Sequence, residues 1–357
     1  MRKSTRLAAV AMVATFGLLA AACGDDKKSE GTTPAPDTTT APACPPNTGP
    51  APTDLKLGIA FDTGGRGDGT FNDSAGRGAD AAVADLGFTK QELEAVNEDD
   101  RKPNLEALTK AGNNPVIAVG FAFGDALGAV AAANCTTTFG WIDGYFDAPN
   151  IKTTGFAEEQ GSFLVGAAAA LKSETGHIGF IGGQEIDLIK RFEAGYIAGA
   201  KAINPDIKIE SQYLGPAGDN TAWGSPDKAK EIALGWYADG ADVIYTAAGG
   251  SGNGTIEAAV EANKWAIGVD SDQYLTANDE AKKHILTSML KRVDTAVFEF
   301  AKAIKEGDFS GGFKTFNLAN DGVGYSTSGG YLDDVKDQLE ELKAKVISGE
   351  IVVPTKP

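Results

Sequence analysis

Apolar and polar positions follow two rhythms along this chain. Short, nearly continuous apolar runs fall at 56–62, 116–123, 138–143, 152–156, 177–182, 208–213, 242–247, 265–270 and 285–290. Between them apolar residues return at helical spacing over 72–86, 104–112, 125–133, 158–171, 187–203, 227–238, 255–262 and 294–306. Apolar runs without polar alternation predict strands buried on both faces, as in parallel sheets covered by helices. Strand and helix taken in turn predict an α/β fold, and no repeat of sequence accompanies the repeat of pattern. A last helix over 333–347 carries Val335, Leu339, Leu342 and Val346 on one side, a stripe suited to packing against the body.

The first strand leads into D-T-G-G-R-G-D-G-T-F-N (62–72), and the first helical pattern follows. In open α/β sheets ligands sit outside the carboxyl ends of the strands, where such a loop lies. It carries two carboxylates, Asp62 and Asp68, an aromatic, Phe71, and an amide, Asn72. That set offers hydrogen bonds and stacking to a flat polar ligand, with little cationic capture of an anion; a plain surface turn is the alternative. Polar clusters also follow strands at 120–125, 249–254 and 270–273. The roughly 300 residues after the N-terminal region allow two lobes. The expected first lobe takes 54–156 with about 287–320, and the second 157–286 with about 321–350, by the placing of strands and clusters. A cleft between such lobes would gather the clusters, and clefts at domain interfaces favour small molecules.

The N-terminus bears on location. Arg2, Lys3 and Arg6 precede an apolar, small-residue stretch over 7–22, and Cys23 follows at once. This predicts a signal peptide over 1–22, since the stretch is short of the about 20 apolar residues that span a membrane. Leu19-Ala20-Ala21-Ala22-Cys23 is similar to a bacterial lipobox, with its leucine one place further from the cysteine than usual. Lipidation at Cys23 is therefore expected, with an unlipidated exported protein as the alternative. Acyl chains would then hold the protein on the outer face of the cell membrane. Residues 23–53 hold nearly half of the chain's 15 prolines and few large apolar side chains, which predicts an extended tether.

Charge and cysteine count narrow the partners. A formal net charge of −17 disfavours nucleic acid and anionic membrane surfaces. Lipidation would leave Cys44 and Cys135, and in an exported chain such a pair predicts a disulfide, with two free thiols as the alternative. His177 and His284 lie far apart and no cysteine group has zinc-ligand spacing. No metal and no cofactor is expected.

Enzymatic readings find few residues to carry them. G-G-S-G-N-G (249–254) lacks dinucleotide-loop spacing and comes late in the chain. The sequence holds no phosphate-loop motif and no nucleophile elbow. Paired carboxylates for glycoside hydrolysis stay open as an alternative, because acids are plentiful.

The motifs taken together resemble one family. D-T-G-G-R-G-D-G-T-F-N (62–72), G-F-A-F-G-D (120–125), F-I-G-G (180–183) and R-F-E-A-G-Y (191–196) are similar to segments of the basic membrane protein (Bmp) family. So are A-A-G-G-S-G-N-G (247–254), G-V-D-S-D-Q (268–273) and S-M-L-K-R-V-D (288–294). The resemblance covers 55–350 and implies a two-lobed type I periplasmic-binding fold, each lobe a parallel sheet flanked by helices. It implies a substrate-binding lipoprotein of an ABC importer, not an enzyme, whose characterised relatives bind purine nucleosides.

Residue roles follow from the same resemblance. Phe71 and Trp223 would sandwich the base, Trp223 standing where the family usually has phenylalanine. Asp68 and Asn72 would bond the base edge, with Asp62 in the same loop. Asp125 matches the family's aspartate after the third strand. Asp270 and Lys291 would hold the ribose hydroxyls, with backbone groups of Gly249 or Gly250 beside them. Ser225 stands where the family commonly has an aspartate. The implied partners are a nucleoside and the permease subunits, with the membrane met through the lipid anchor alone and the protein a monomer. The alternatives are a sugar- or signal-binding protein of this fold and a lipid-anchored nucleoside or glycoside hydrolase.

Overall fold

The computed structural model describes residues 44–45, 51–146, 148–307 and 311–357. The expected signal peptide, Cys23 and most of the expected tether lie outside the described residues. The first strands are β1 (Lys56–Phe61), β2 (Thr89–Glu94), β3 (Val116–Val119), β4 (Phe139–Ile142) and β5 (Ile151–Phe156), joined through α1 (Phe71–Leu86), α2 (Arg101–Lys110) and α3 (Gly124–Ala133). After α4 (Glu158–Lys172) come β6 (His177–Gln184), α5 (Asp187–Ile203), β7 (Lys208–Gly215), α6 (Pro226–Ala238), β8 (Val243–Ala247) and α7 (Gly252–Ala262). They are followed by β9 (Trp265–Asp270), α8 (Gln273–Thr276) and β10 (Ile285–Lys291). The chain ends through α9 (Val293–Lys305), β11 (Gly312–Phe316), β12 (Val323–Tyr325) and α10 (Lys336–Ser348).

Two sheets of the same plan result, in the orders β11-β5-β4-β3-β1-β2 and β12-β10-β9-β8-β6-β7. All pairings between these strands are parallel except β10 with β12. Strand order reverses at β1/β3 in one sheet and at β6/β8 in the other, and such switch points open a crevice at the carboxyl ends. The chain passes from the first sheet to the second after Phe156. It returns after Lys291, to which β10 extends, and crosses once more between β11 and β12.

The predicted apolar runs become β1 and β3 to β10, buried as expected except β7, an edge strand whose residues 208–213 are exposed or half-buried. Three strands lay outside the apolar pattern. β2 reads Thr-Lys-Gln-Glu-Leu-Glu at a sheet edge with half its side chains toward solvent, β11 is likewise an exposed edge, and β12 is three residues long. The run at 116–123 leaves the sheet early, because Gly120 takes φ 123° and turns Phe121–Phe123 into a 3-10 turn. α4 and α5 pack in close contact: a Cβ on Gly166 would lie 2.1 Å from the Tyr196 carbonyl oxygen, and one on Gly199 1.9 Å from that of Phe163. Glycine at both places lets α5 lie flat against α4. A disulfide joins Cys44 to Cys135, tying the segment before β1 to the loop after α3. No helix among the described residues is long and apolar enough to cross a membrane.

Candidate ligand-binding cleft

The carboxyl ends of both sheets face one cavity, whose empty space, open mouth included, is about 710 Å³. Residues from four strand ends of the first and second sheets line it: Asp62 after β1, Gly120 after β3, Gly249 after β8 and Asp270 at the end of β9. Phe71, Trp223 and Lys291 join them.

The glycine-rich loop is organised by Asp68. Its carboxylate accepts from the backbone N–H groups of Thr70 (2.8 Å), Asn72 (2.9 Å) and Asp73 (3.1 Å), and from Asn72 Nδ2 (3.2 Å). These are the free donors of the first turn of α1, which a side chain must satisfy. Burial raises the Asp68 pKa, against the pull of those N–H groups. Asp68 lines the cavity, but its acceptors are spent on its own loop. Asn72 keeps one acceptor, Oδ1, buried and without a hydrogen-bond partner among the described residues. Asp62 Oδ1 takes Arg101 Nε at 2.8 Å and the Thr63 N–H at 2.8 Å.

The other side of the cavity is electrostatic. Lys291 is 2% exposed, with Nζ 2.7 Å from Asp143 Oδ2 and 3.1 Å from Glu158 Oε1. Desolvation works against its charge, but Asp143, Glu158 and Asp270 outweigh it and raise its pKa. The ammonium also stands 5.2 Å from the Phe71 ring centre and 4.9 Å from that of Phe156, within cation–π range. Asp270 has φ 63° and Asp143 φ 62°, a left-handed conformation that aspartate tolerates better than most residues. Each sheet thus ends a strand on a turned aspartate. The Asp270 carboxylate has no hydrogen-bond or ion-pair partner among the described residues, and burial pushes it up from 3.8 to about 7, with Lys291 opposing the rise. Burial likewise pushes Glu158 up to about 7, again against Lys291.

Aromatic rings close the remaining walls. Trp223 meets Phe121 edge to face, with ring centres 6.2 Å apart. The indole fits because Gly183 lies beneath it: a Cβ there would come 2.2 Å from the ring. Gly183 therefore serves the site by making room. Phe192 from α5 lines the cavity from below.

Of the sequence-predicted ligand residues, the fold brings Asp62, Asp68, Phe71, Asn72, Trp223, Gly249, Gly250, Asp270 and Lys291 to this cavity. Asp125 is not brought there: it is exposed in the first turn of α3. The turn at Gly120 sends Gly120 and Phe121 inward and leaves the next helical turn facing out. Sequence reasoning passed over Asp143, Glu158 and Phe192, and marked Phe121 only within the cluster at 120–125. Asp143 and Glu158 follow directly on apolar runs, so their place at strand ends was the available signal; their partner, Lys291, is far off in sequence.

Two α/β lobes around a cleft built from strand ends define a solute-binding protein. A family model described as ABC transporter substrate-binding protein PnrA-like matches residues 56–356. The CD4+ T-cell-stimulating antigen of Listeria innocua is 36% identical, with 100% of both chains covered. The ABC transporter nucleoside-binding protein BmpA of Lactococcus lactis is 35% identical over 86% of this chain and 91% of that one. Among solved structures, an ABC transporter solute-binding protein from Aeropyrum pernix matches with a TM-score of 0.73 at 28% identity, covering 84% of this chain and 94% of that one. The chain belongs to the Bmp family of ABC transporter substrate-binding proteins. It is a binding protein rather than an enzyme and works with a permease on the extracytoplasmic side, which sets the hydrolase alternative aside.

Proposed function

We propose that the cleft binds a purine nucleoside and hands it to the permease. The observation that carries this reading is a buried carboxylate that accepts no hydrogen bond from the described residues, Asp270, in one cavity with the rings of Phe71 and Trp223. A flat base stacks on aromatic faces, at about 1–3 kcal/mol per base in nucleic-acid complexes. The bicyclic indole of Trp223 matches a bicyclic purine. Asn72 Oδ1 is an acceptor for a base N–H, and Asp270 accepts from the sugar diol. Lys291 donates one N–H to Asp143 Oδ2 and faces Glu158 Oε1 at 3.1 Å as an ion pair, which leaves N–H groups for a sugar hydroxyl. The acids at this end repel phosphate, so a nucleoside is favoured over a nucleotide. The Lactococcus relative named as nucleoside-binding supports the same ligand class.

The lobes, divided near 156, 291 and 320, close on the ligand by hinge motion. The protein acts as a monomer. Acyl chains on Cys23 hold the protein at the membrane through the tether, and Cys23→Ser releases it from the membrane fraction. Calorimetry against inosine, guanosine, hypoxanthine and ribose tests the ligand: a nucleoside should bind more tightly than either of its halves. Binding of ribose as tightly as of inosine would instead make this a sugar-binding member of the fold.

A further inference from the structure

The cleft continues past Asp143. A second, more open chamber of about 850 Å³, its mouth included, shares Phe121, Asp143 and Leu188 with the first. Phe156 and Ile186 form its apolar sides. Tyr145 and Phe313 stand at its mouth, edge to face with ring centres 5.2 Å apart, and are 79% and 50% exposed. The inner wall is polar. Both carboxylate oxygens of Glu158, and Asp143 Oδ1, are buried and accept no hydrogen bond from the described residues. Their charge is balanced: Lys291 Nζ lies 3.1 Å from Glu158 Oε1, and Arg191 Nη1 3.6 Å from Oε2. Buried acceptors normally find a donor, and none of these is used by the binding mode given above.

The sugar end of a bound nucleoside points this way. With its base on Phe71 and Trp223 and its sugar at Asp270 and Lys291, the nucleoside has its sugar end beside Asp143, which pairs with Lys291 at 2.7 Å and lines both chambers. We propose that the second chamber is a subsite for a neutral substituent at the 5′ position, so that the ligands include 5′-substituted purine nucleosides. The inference rests on the nucleoside reading and extends it. An apolar substituent covers Ile186, Leu188 and the aromatic mouth. An anionic one is disfavoured, because Asp143 and Glu158 form the inner wall and both nearby cations are already paired.

Calorimetry on the full chain tests this with adenosine, 5′-deoxy-5′-methylthioadenosine and adenosine 5′-monophosphate. The wild type should bind the methylthio compound within about threefold of adenosine or more tightly, and the monophosphate at least about tenfold more weakly than adenosine. Ile186 lines the second chamber and not the first, so Ile186→Trp should fill it. That variant should keep adenosine affinity and weaken the methylthio compound by about tenfold or more; Ile186→Phe serves if tryptophan is not tolerated. A wild type that rejects the methylthio compound, or a filling variant that weakens both ligands alike, overturns the subsite. Preference for the monophosphate overturns its neutral character. Failure of every nucleoside to bind overturns the nucleoside reading itself, a result distinguishable from the others.

Discussion

The glycine-rich loop after β1 and the end of β9 each deliver a buried aspartate to the same cleft, and the two do opposite work. Asp68 sits among the free N–H groups at the start of α1 and accepts four hydrogen bonds from its own loop. Asp270 sits on a strand end whose backbone is already paired within the sheet, and its carboxylate has no protein donor among the described residues. Both are about equally buried, at 8% exposed. Burial therefore does not say which carboxylate is open to a ligand; the donors left over by the local backbone do. Asp68 shapes the loop that presents Phe71 and Asn72, and in the proposed binding mode Asp270 is the acceptor left for the ligand.

Substitution separates the two roles. Asp270→Ala should lower nucleoside affinity by roughly tenfold to several hundredfold, since a hydrogen bond to a charged group contributes roughly 1.5–3 kcal/mol. The empty protein should lose little stability with it beyond the cost of holding alanine at φ 63°. Burial holds Asp270 near 7 against an ordinary 3.8, so the unfolded chain ionises it first, and this group costs stability as pH rises from about 4 to 7. Asp270→Asn, which tolerates the same left-handed backbone, should then raise the melting temperature at pH 8 while weakening the ligand. Asp68→Ala should do the reverse. It should lower stability by about 2 kcal/mol in denaturant unfolding, by leaving the helix N-terminus uncapped, and affect affinity through the disordered loop. Equal thermal and binding behaviour of the two variants would erase the distinction.

Phe71→Ala should weaken binding by about 1–2 kcal/mol through lost stacking, and Trp223 fluorescence should change when a purine nucleoside is added. A smaller effect comes from protons. A sugar hydroxyl donating to Asp270 favours its ionised form, so binding should release protons near neutrality and tighten as pH rises through about 7. Titrations in buffers of different ionisation enthalpy measure that release. The smallest expected effect is at Asp125: exposed and outside the cavity, its alanine variant should bind as the wild type does.

Much of this molecule is legible in sequence because the inner strands of its sheets are buried on both faces. Runs such as Leu57–Phe61 or Val116–Val119 have no polar alternation and stand out, whereas the polar edge strand β2 has no such signature. The loop motif after β1 marked the right part of the chain, yet sequence alone placed Asp68 and Asp270 in the same category, since the pairing of N–H groups is invisible until the helix start is built. Asp125 misled for a related reason: it follows a strand closely, but the turn at Gly120 decides which residues face the cleft. The cluster of Asp143, Glu158 and Lys291 was not legible. Asp143 follows β4 while Glu158 and Lys291 stand at two separate crossings of the chain, and they meet only when the two sheets share a cleft.

The most direct measurement is a calorimetric titration of the wild type and Asp270→Asn with inosine and with 2′,3′-dideoxyinosine. The wild type should bind one inosine per chain and the dideoxy compound at least about tenfold more weakly, and in Asp270→Asn the gap between the two ligands should close. The same inosine-to-dideoxyinosine ratio in both proteins would contradict the assignment of Asp270 as the group that reads the sugar, and no binding of inosine by the wild type would contradict the nucleoside reading of the cleft.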